Sequence, residues 1–101
     1  MDSKIILGRI LQRFIDAKHA QVKDYNRFDF IKLKNTSVIV SRENGQDTPV
    51  SFSKIIKGIE AYQERPELYE QGPTALRVFG ITHTTSPIFA LLHLLTNEDF
   101  Q

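Results

Sequence analysis

The chain has no cysteine among its 101 residues. Disulfides, thiolate zinc sites and cysteine nucleophiles are therefore excluded, and the absence fits a reducing compartment. Long apolar runs are missing too. The longest, Ile88–Leu95, holds a histidine and falls well short of the ~18 apolar residues of a membrane helix. The N-terminal stretch carries Lys4, Arg9 and Arg13, which interrupt any apolar core of the kind a secretory signal requires. The expectation is a protein without membrane contact, in the cytoplasm or, if eukaryotic, the nucleus. Several signatures of chemistry are also lacking. There is no GxxxxGK[ST] phosphate loop, no GxSxG elbow, no HExxH and no EF-hand loop. No metal and no cofactor is expected, and no internal repeat, linker or low-complexity tract divides the chain. Residues 1–101 are read as a single compact domain.

Charge is present in both signs but unevenly spread. Residues 1–42 hold nine Lys/Arg against four Asp/Glu, a net of +5, whereas residues 43–101 hold four against eight, a net of −4. Such a split points to an anionic partner on the N-terminal side. The sequence pI near 8.0 is lower than that of a dedicated nucleic-acid binder, which lies above about 9.

Periodicity supplies the elements. Ser3 is read as the N-cap of a first helix over about Lys4–Ala20, with Ile6, Leu7, Ile10, Leu11, Phe14 and Ala17 at helical spacing. Gly8 lies inside it, where it permits close packing. His19 ends it, where a cation suits the helix dipole. Asn44-Gly45 is the strongest hairpin signal, since both residues tolerate positive φ. A two-residue turn there sets Arg42 opposite Asp47 and Ile39 opposite Val50. A second turn at Asn35-Thr36 sets Leu33 opposite Val38 and Ile31 opposite Val40. In this register Ile31, Leu33, Val38 and Val40 share one face. Phe30, Lys32, Lys34, Ile39 and Val50 share the other. Pro49 lies near the end of the last strand, where a missing donor is tolerated.

Ser51 or Ser53 caps a second helix with Ile55, Ile56, Ile59 and Tyr62 as its apolar stripe. Pro66 stops it and starts a short turn of helix ended by Gly72. Thr74–Phe79 is predicted as a further short helix closed by Gly80. Ser86-Pro87 restarts a helix that runs to about Thr96, and Asn97–Gln101 is expected to fray. The fold class is thus α+β: an N-terminal helix, a three-stranded antiparallel meander and a C-terminal group of three to four helices, with a helix-turn-helix-like pair among them.

Two features point to nucleic acid. The run Ala75–Thr85, ALRVFGITHTT, resembles the helix-turn-helix pattern of bacterial repressors, in which an apolar residue follows the turn glycine. The resemblance makes Thr74–Phe79 the supporting helix and Thr82, His83, Thr84, Thr85 and Ser86 the reading end, with Arg77 beside them. Pro87 departs from the pattern by falling inside the usual second helix. The second feature is the basic hairpin. Lys32, Lys34 and Arg42 would hold phosphates and Phe30 would stack on a base.

The first expectation is therefore a small module that binds DNA or RNA, as a regulator or the targeting part of a DNA-processing system. The second is an assembly subunit that meets a protein partner, or a second copy of itself, through the leucine-rich Ile88–Leu95. The last is a small nuclease centred on His83 with Arg77 as phosphate clamp. His93, set among leucines, is read as a core histidine held by one hydrogen bond.

Overall fold

Helix α1 spans Ser3–Ala17, and the strands that follow are β1 (His19–Ala20), β2 (Phe28–Leu33), β3 (Ser37–Arg42) and β4 (Asp47–Ser51). Helix α2 covers Phe52–Glu64 and helix α3 covers Thr85–Leu92. Short 3-10 helices occupy Pro66–Glu70, Pro73–Phe79 and Asn97–Phe100. The computed structural model describes all residues from Met1 to Gln101. The architecture is α+β. Four strands form one antiparallel meander in the order β1-β2-β3-β4, and the helices pack on one of its faces.

Helix α1 is capped by Asp2, not Ser3: its carboxylate accepts the Lys4 amide at 2.7 Å. It also stops three residues earlier than its periodicity suggests. Lys18 turns left-handed (φ 68°) and its amide closes the helix on the Phe14 carbonyl. That reversal frees His19 and Ala20 to form the fourth strand beside β2. His19 therefore lies at a sheet edge and not at a helix end. Gly8 has nothing within 4 Å of a would-be Cβ, so it serves no close contact.

The Asn35-Thr36 turn forms with two residues as expected, whereas the second hairpin does not. At Asn44-Gly45 the loop has three residues: the Arg42 amide donates to Gln46, the Gly45 amide returns to Arg42, and Gly45 adopts φ 82°. This is a turn followed by a glycine bulge. It slips β4 by one residue, so Ile39 faces Pro49, and Val50 crosses to pair with Val38 in the core. A one-residue slip changes the face of every side chain. In β2 the pairing Leu33–Val38 holds, but a bulge between Phe30 and Lys32 puts Phe30, not Ile31, opposite Val40. Phe30 turns inward and meets the Phe14 ring edge-on at 5.5 Å, while Ile31 stays 43% exposed. Lys32, opposite Ile39, stands on the outer face, and Lys34 follows it two residues on.

Ser51 caps α2, its hydroxyl accepting the Lys54 amide. One continuous core joins α1, the inner sheet face, α2, α3 and the C-terminal 3-10 helix. Helix α3 lies at its centre: Pro87 through Leu92 are all buried, which its charge-free sequence requires. It crosses α2 at Gly58, where an added Cβ would stand 3.0 Å from Leu92 Cδ1 and 3.3 Å from Ile88 Cγ2. The C-terminal segment does not fray. Thr96 and Asp99 form a reciprocal cap, and Phe100 is buried with its ring 5.2 Å from that of Tyr62. Hydrogen bonds from the Thr96 amide and hydroxyl hold the Asp99 carboxyl below its ordinary range.

Gly58→Ala should destabilise the protein by about 1 kcal/mol, because overpacking against fully buried Leu92 and Ile88 outweighs the gain in helix propensity. Gly8→Ala, with open space around it, should stabilise by a similar ~1 kcal/mol. Denaturant titration of both variants checks the contrast. The Tyr62 hydroxyl is buried without a partner, and burial, then the neighbouring Tyr69, raises its ionisation above the ordinary tyrosine value. The folded chain thus keeps this proton to higher pH than the unfolded chain, so stability is full below about pH 10 and falls above it. Tyr62→Phe should gain about 1 kcal/mol at neutral pH, by deleting an unsatisfied hydroxyl. It should also flatten the alkaline decline seen in thermal melts.

Candidate nucleic-acid interface

The burial of α3 decides where the polar joint before it lies. Gly80 (φ 85°) closes the 3-10 helix Pro73–Phe79 and sends Ile81 into the core. The next residues, Thr82 and His83, are exposed, and Thr84, Thr85 and Ser86 are half-buried. They line a hollow of about 330 Å³ with Pro87 and Arg42. An arginine, a histidine and four hydroxyl-bearing residues thus share the walls of one surface depression. No carboxylate and no large apolar side chain lines it. Arg42 is held in place: its Nε donates to Thr48 Oγ1 at 3.0 Å and its guanidinium lies 5.8 Å from the centre of the Phe28 ring. Glu43, the nearest acid in sequence, accepts the Arg27 amide at 2.9 Å.

Thr84 is the strained residue of the joint. It caps α3 in the left-handed region (φ 60°, ψ 23°), a conformation that a β-branched residue rarely adopts. Its hydroxyl donates back to the His83 carbonyl instead of capping the helix. The amides of Thr85 and Ser86, in the first turn, find no acceptor within the chain. Two unpaired N–H groups and the positive end of α3 therefore border the hollow, a combination that favours anions. Strain of about 1–3 kcal/mol at such a residue is a frequent mark of a working site.

The sequence-predicted residues separate into two groups. Arg42 and Thr82, His83, Thr84, Thr85 and Ser86 come together. Lys32 and Lys34 do not join them. Lys32 lies opposite Ile39, three residues before Arg42, roughly 10 Å away along the strand and on the other face of the sheet. The inward turn of Phe30 removes the aromatic expected beside these lysines. Arg77 is exposed on its 3-10 helix and does not line the hollow. Lys57 was not singled out by any sequence pattern, yet its Nζ lies 3.9 Å from the would-be Cβ of Gly80, at the start of the joint.

The helix-turn-helix geometry is not formed. The supporting element is a 3-10 helix, and α3 begins at Thr85 and has no exposed face to lay in a groove. Ile88, Phe89, Leu91, Leu92 and Leu95 are buried within the single chain, so the segment expected to meet a partner is covered by its own fold. His93 is half-buried and more tightly held than expected. Its Nδ1 lies 2.9 Å from the Phe89 carbonyl and its Nε2 lies 2.9 Å from the Tyr69 carbonyl. The His83 ring has no hydrogen-bond partner, and no carboxylate stands in the hollow to orient it as a base. No three His, Asp or Glu side chains gather as metal ligands. No helix is long and apolar enough to cross a membrane.

No protein-family model matches the chain, and neither a curated protein nor a solved structure is significantly similar to it. The strain at Thr84 gives a direct test of the joint. Thr84→Gly should raise stability by about 1 kcal/mol, since glycine adopts positive φ without steric cost. Equilibrium unfolding measures it, and a loss of stability would show that the threonine side chain contributes more than its conformation costs.

Proposed function

We propose that the protein is a small nucleic-acid-binding module that holds backbone phosphate in the hollow between Arg42 and the Thr82–Pro87 joint. The observation that carries this reading is the composition of the hollow. Arginine, histidine, three threonines and serine converge there without a carboxylate. A phosphate needs that arrangement: several donors, one fixed positive charge and no competing anion. Arg42 supplies the planar fork that suits phosphate oxygens. The first-turn amides of α3 add donors that cost no side-chain ordering.

Shape favours a polymer over a small metabolite. The hollow is a depression on the surface, whereas small-ligand sites enclose most of their ligand in an apolar cavity. A backbone running across the surface needs only such a seat. Lys57, beside Gly80 at the start of the joint, adds a second positive charge near the segment. Lys32 and Lys34 take no part in this contact.

Binding of fluorescent DNA and RNA, single-stranded and duplex, checks the proposal by anisotropy at about 50 mM salt. Affinity should fall steeply as salt rises toward about 200 mM. Arg42→Gln should weaken binding about tenfold and reduce the salt slope by roughly one. Thr82→Glu places a carboxylate at an exposed position of the hollow and should weaken it at least as much. Lys32→Ala and Lys34→Ala should leave affinity unchanged. Absence of binding to every probe at the lowest salt overturns the proposal.

A further inference from the structure

We infer that the nucleic acid is held as a single strand, with one base laid against Tyr25 in a second hollow that adjoins the phosphate seat at Ser86. The inference rests on the phosphate reading and adds the form of the ligand. The second hollow has a volume of about 170 Å³, and Tyr25, Asn26, Pro73, Ser86 and Phe89 are among its walls. Ser86 belongs to both hollows. A third depression, lined by Asn26, Arg42, Glu43 and Asn44, shares Asn26 with the one and Arg42 with the other. Arg42 and Asn26 are thus the two ends of a short bridge between a cationic, hydroxyl-rich seat and an aromatic one. Those are the two halves of a nucleotide: a charged backbone and a planar base.

Tyr25 is suited to stacking. It is 47% exposed, yet its ring is steadied edge-on by Phe89 at 5.5 Å. Its backbone is pinned on both sides: the Tyr25 amide donates to Val22 at 2.9 Å, and the Gln21 side chain donates to the Tyr25 carbonyl at 2.9 Å. An aromatic ring fixed in this way meets a base at little entropic cost, and base–aromatic stacking tolerates any base. Asp24 and Asn26 flank it in the same hollow. Their side chains make no hydrogen bond within the chain, which leaves an acceptor and an amide free for the edge of the base.

A duplex would not use this surface. Its bases are stacked inside and cannot reach a side pocket without being flipped out. The element that would read a major groove is absent, because α3 is buried on all sides. A single strand presents base and phosphate together.

The experiment titrates the full chain against labelled oligo(dT), oligo(U) and a duplex of equal length, about twelve nucleotides, at low salt. Wild-type protein should bind at least one single strand tenfold or more tightly than the duplex. Tyr25→Phe should bind within about twofold of wild type. Tyr25→Ala should lose roughly five- to a hundredfold with an unchanged salt slope, while Arg42→Gln lowers the slope. Retention of affinity in Tyr25→Ala alongside a loss in Arg42→Gln overturns the base site and leaves the phosphate seat standing. Tighter binding to the duplex likewise overturns the single-strand inference alone. No binding to any of the three probes overturns both. A thermal melt of Tyr25→Ala reports its folding, and if that variant is unfolded, the ratio of single-strand to duplex affinity in wild type and Tyr25→Phe decides the matter.

Discussion

Helix α3 has no polar side to turn toward water, and covering it on every side is the constraint that organises the rest of the molecule. Helix α2 approaches it closely enough that position 58 accepts no Cβ without contact at 3.0 Å. The 3-10 helix Pro73–Phe79 and helix α1 pack against it from other directions, and Phe100 packs on Tyr62 in the same core. With the helix fixed in the middle, the segment leading into it has only one place to go. Ile81 and Pro87 are buried at either end. The five residues between them are drawn up to the surface as a short polar arch. The candidate site is thus a by-product of core packing: its polar residues reach the surface because their neighbours on both sides are buried.

The same constraint explains the strain at Thr84. The chain must reverse from Gly80 into α3 within a few residues, and a left-handed residue at position 84 accomplishes part of that reversal. Asparagine or glycine would do so at lower cost. Threonine adds a hydroxyl to a wall that already has three. Arg42 reaches the arch because the glycine bulge at the β3–β4 turn ends the strand there, and because its inner-face position puts it over Phe28.

Much of the fold is legible in the sequence, and the failures have identifiable causes. The helical stripe of α1, the Ser51 cap, the stop at Pro66 and the left-handed Gly80 all depend on residues within a few positions of one another. Those are the interactions a linear reading captures. Strand register depends on loop length, and Asn44-Gly45 is compatible with a loop of two residues or three. The single-residue difference moved Val50 from the outer face to the core. The bulge at Ile31 has no local signature either. It arises because Phe30 gains more by packing on Phe14 than Ile31 would by alternation. Lys18 offered no hint of a left-handed turn, so the two-residue β1 went unforeseen. The candidate site was legible in part. The hydroxyl-rich joint and Arg42 were named from residue type, but nothing in the spacing told that they meet, or that Lys32 and Lys34 point away. Tyr25 and Asn26 sit in a segment that reads only as a connector.

The borders of the sheet have a bearing on how copies of this chain behave toward each other. One border is β1, which covers only the first two residues of β2. Beyond it, the irregularity at Ile31 and the charge on Lys32 spoil the straight row of amides and carbonyls that a foreign strand would need. The other border is β4, whose third residue is Pro49 and has no amide hydrogen to offer. Neither flank can template strand addition over more than a few residues. Concentrated solutions should therefore resist fibril growth by edge pairing, even though Ile31 and Leu33 show apolar surface to water.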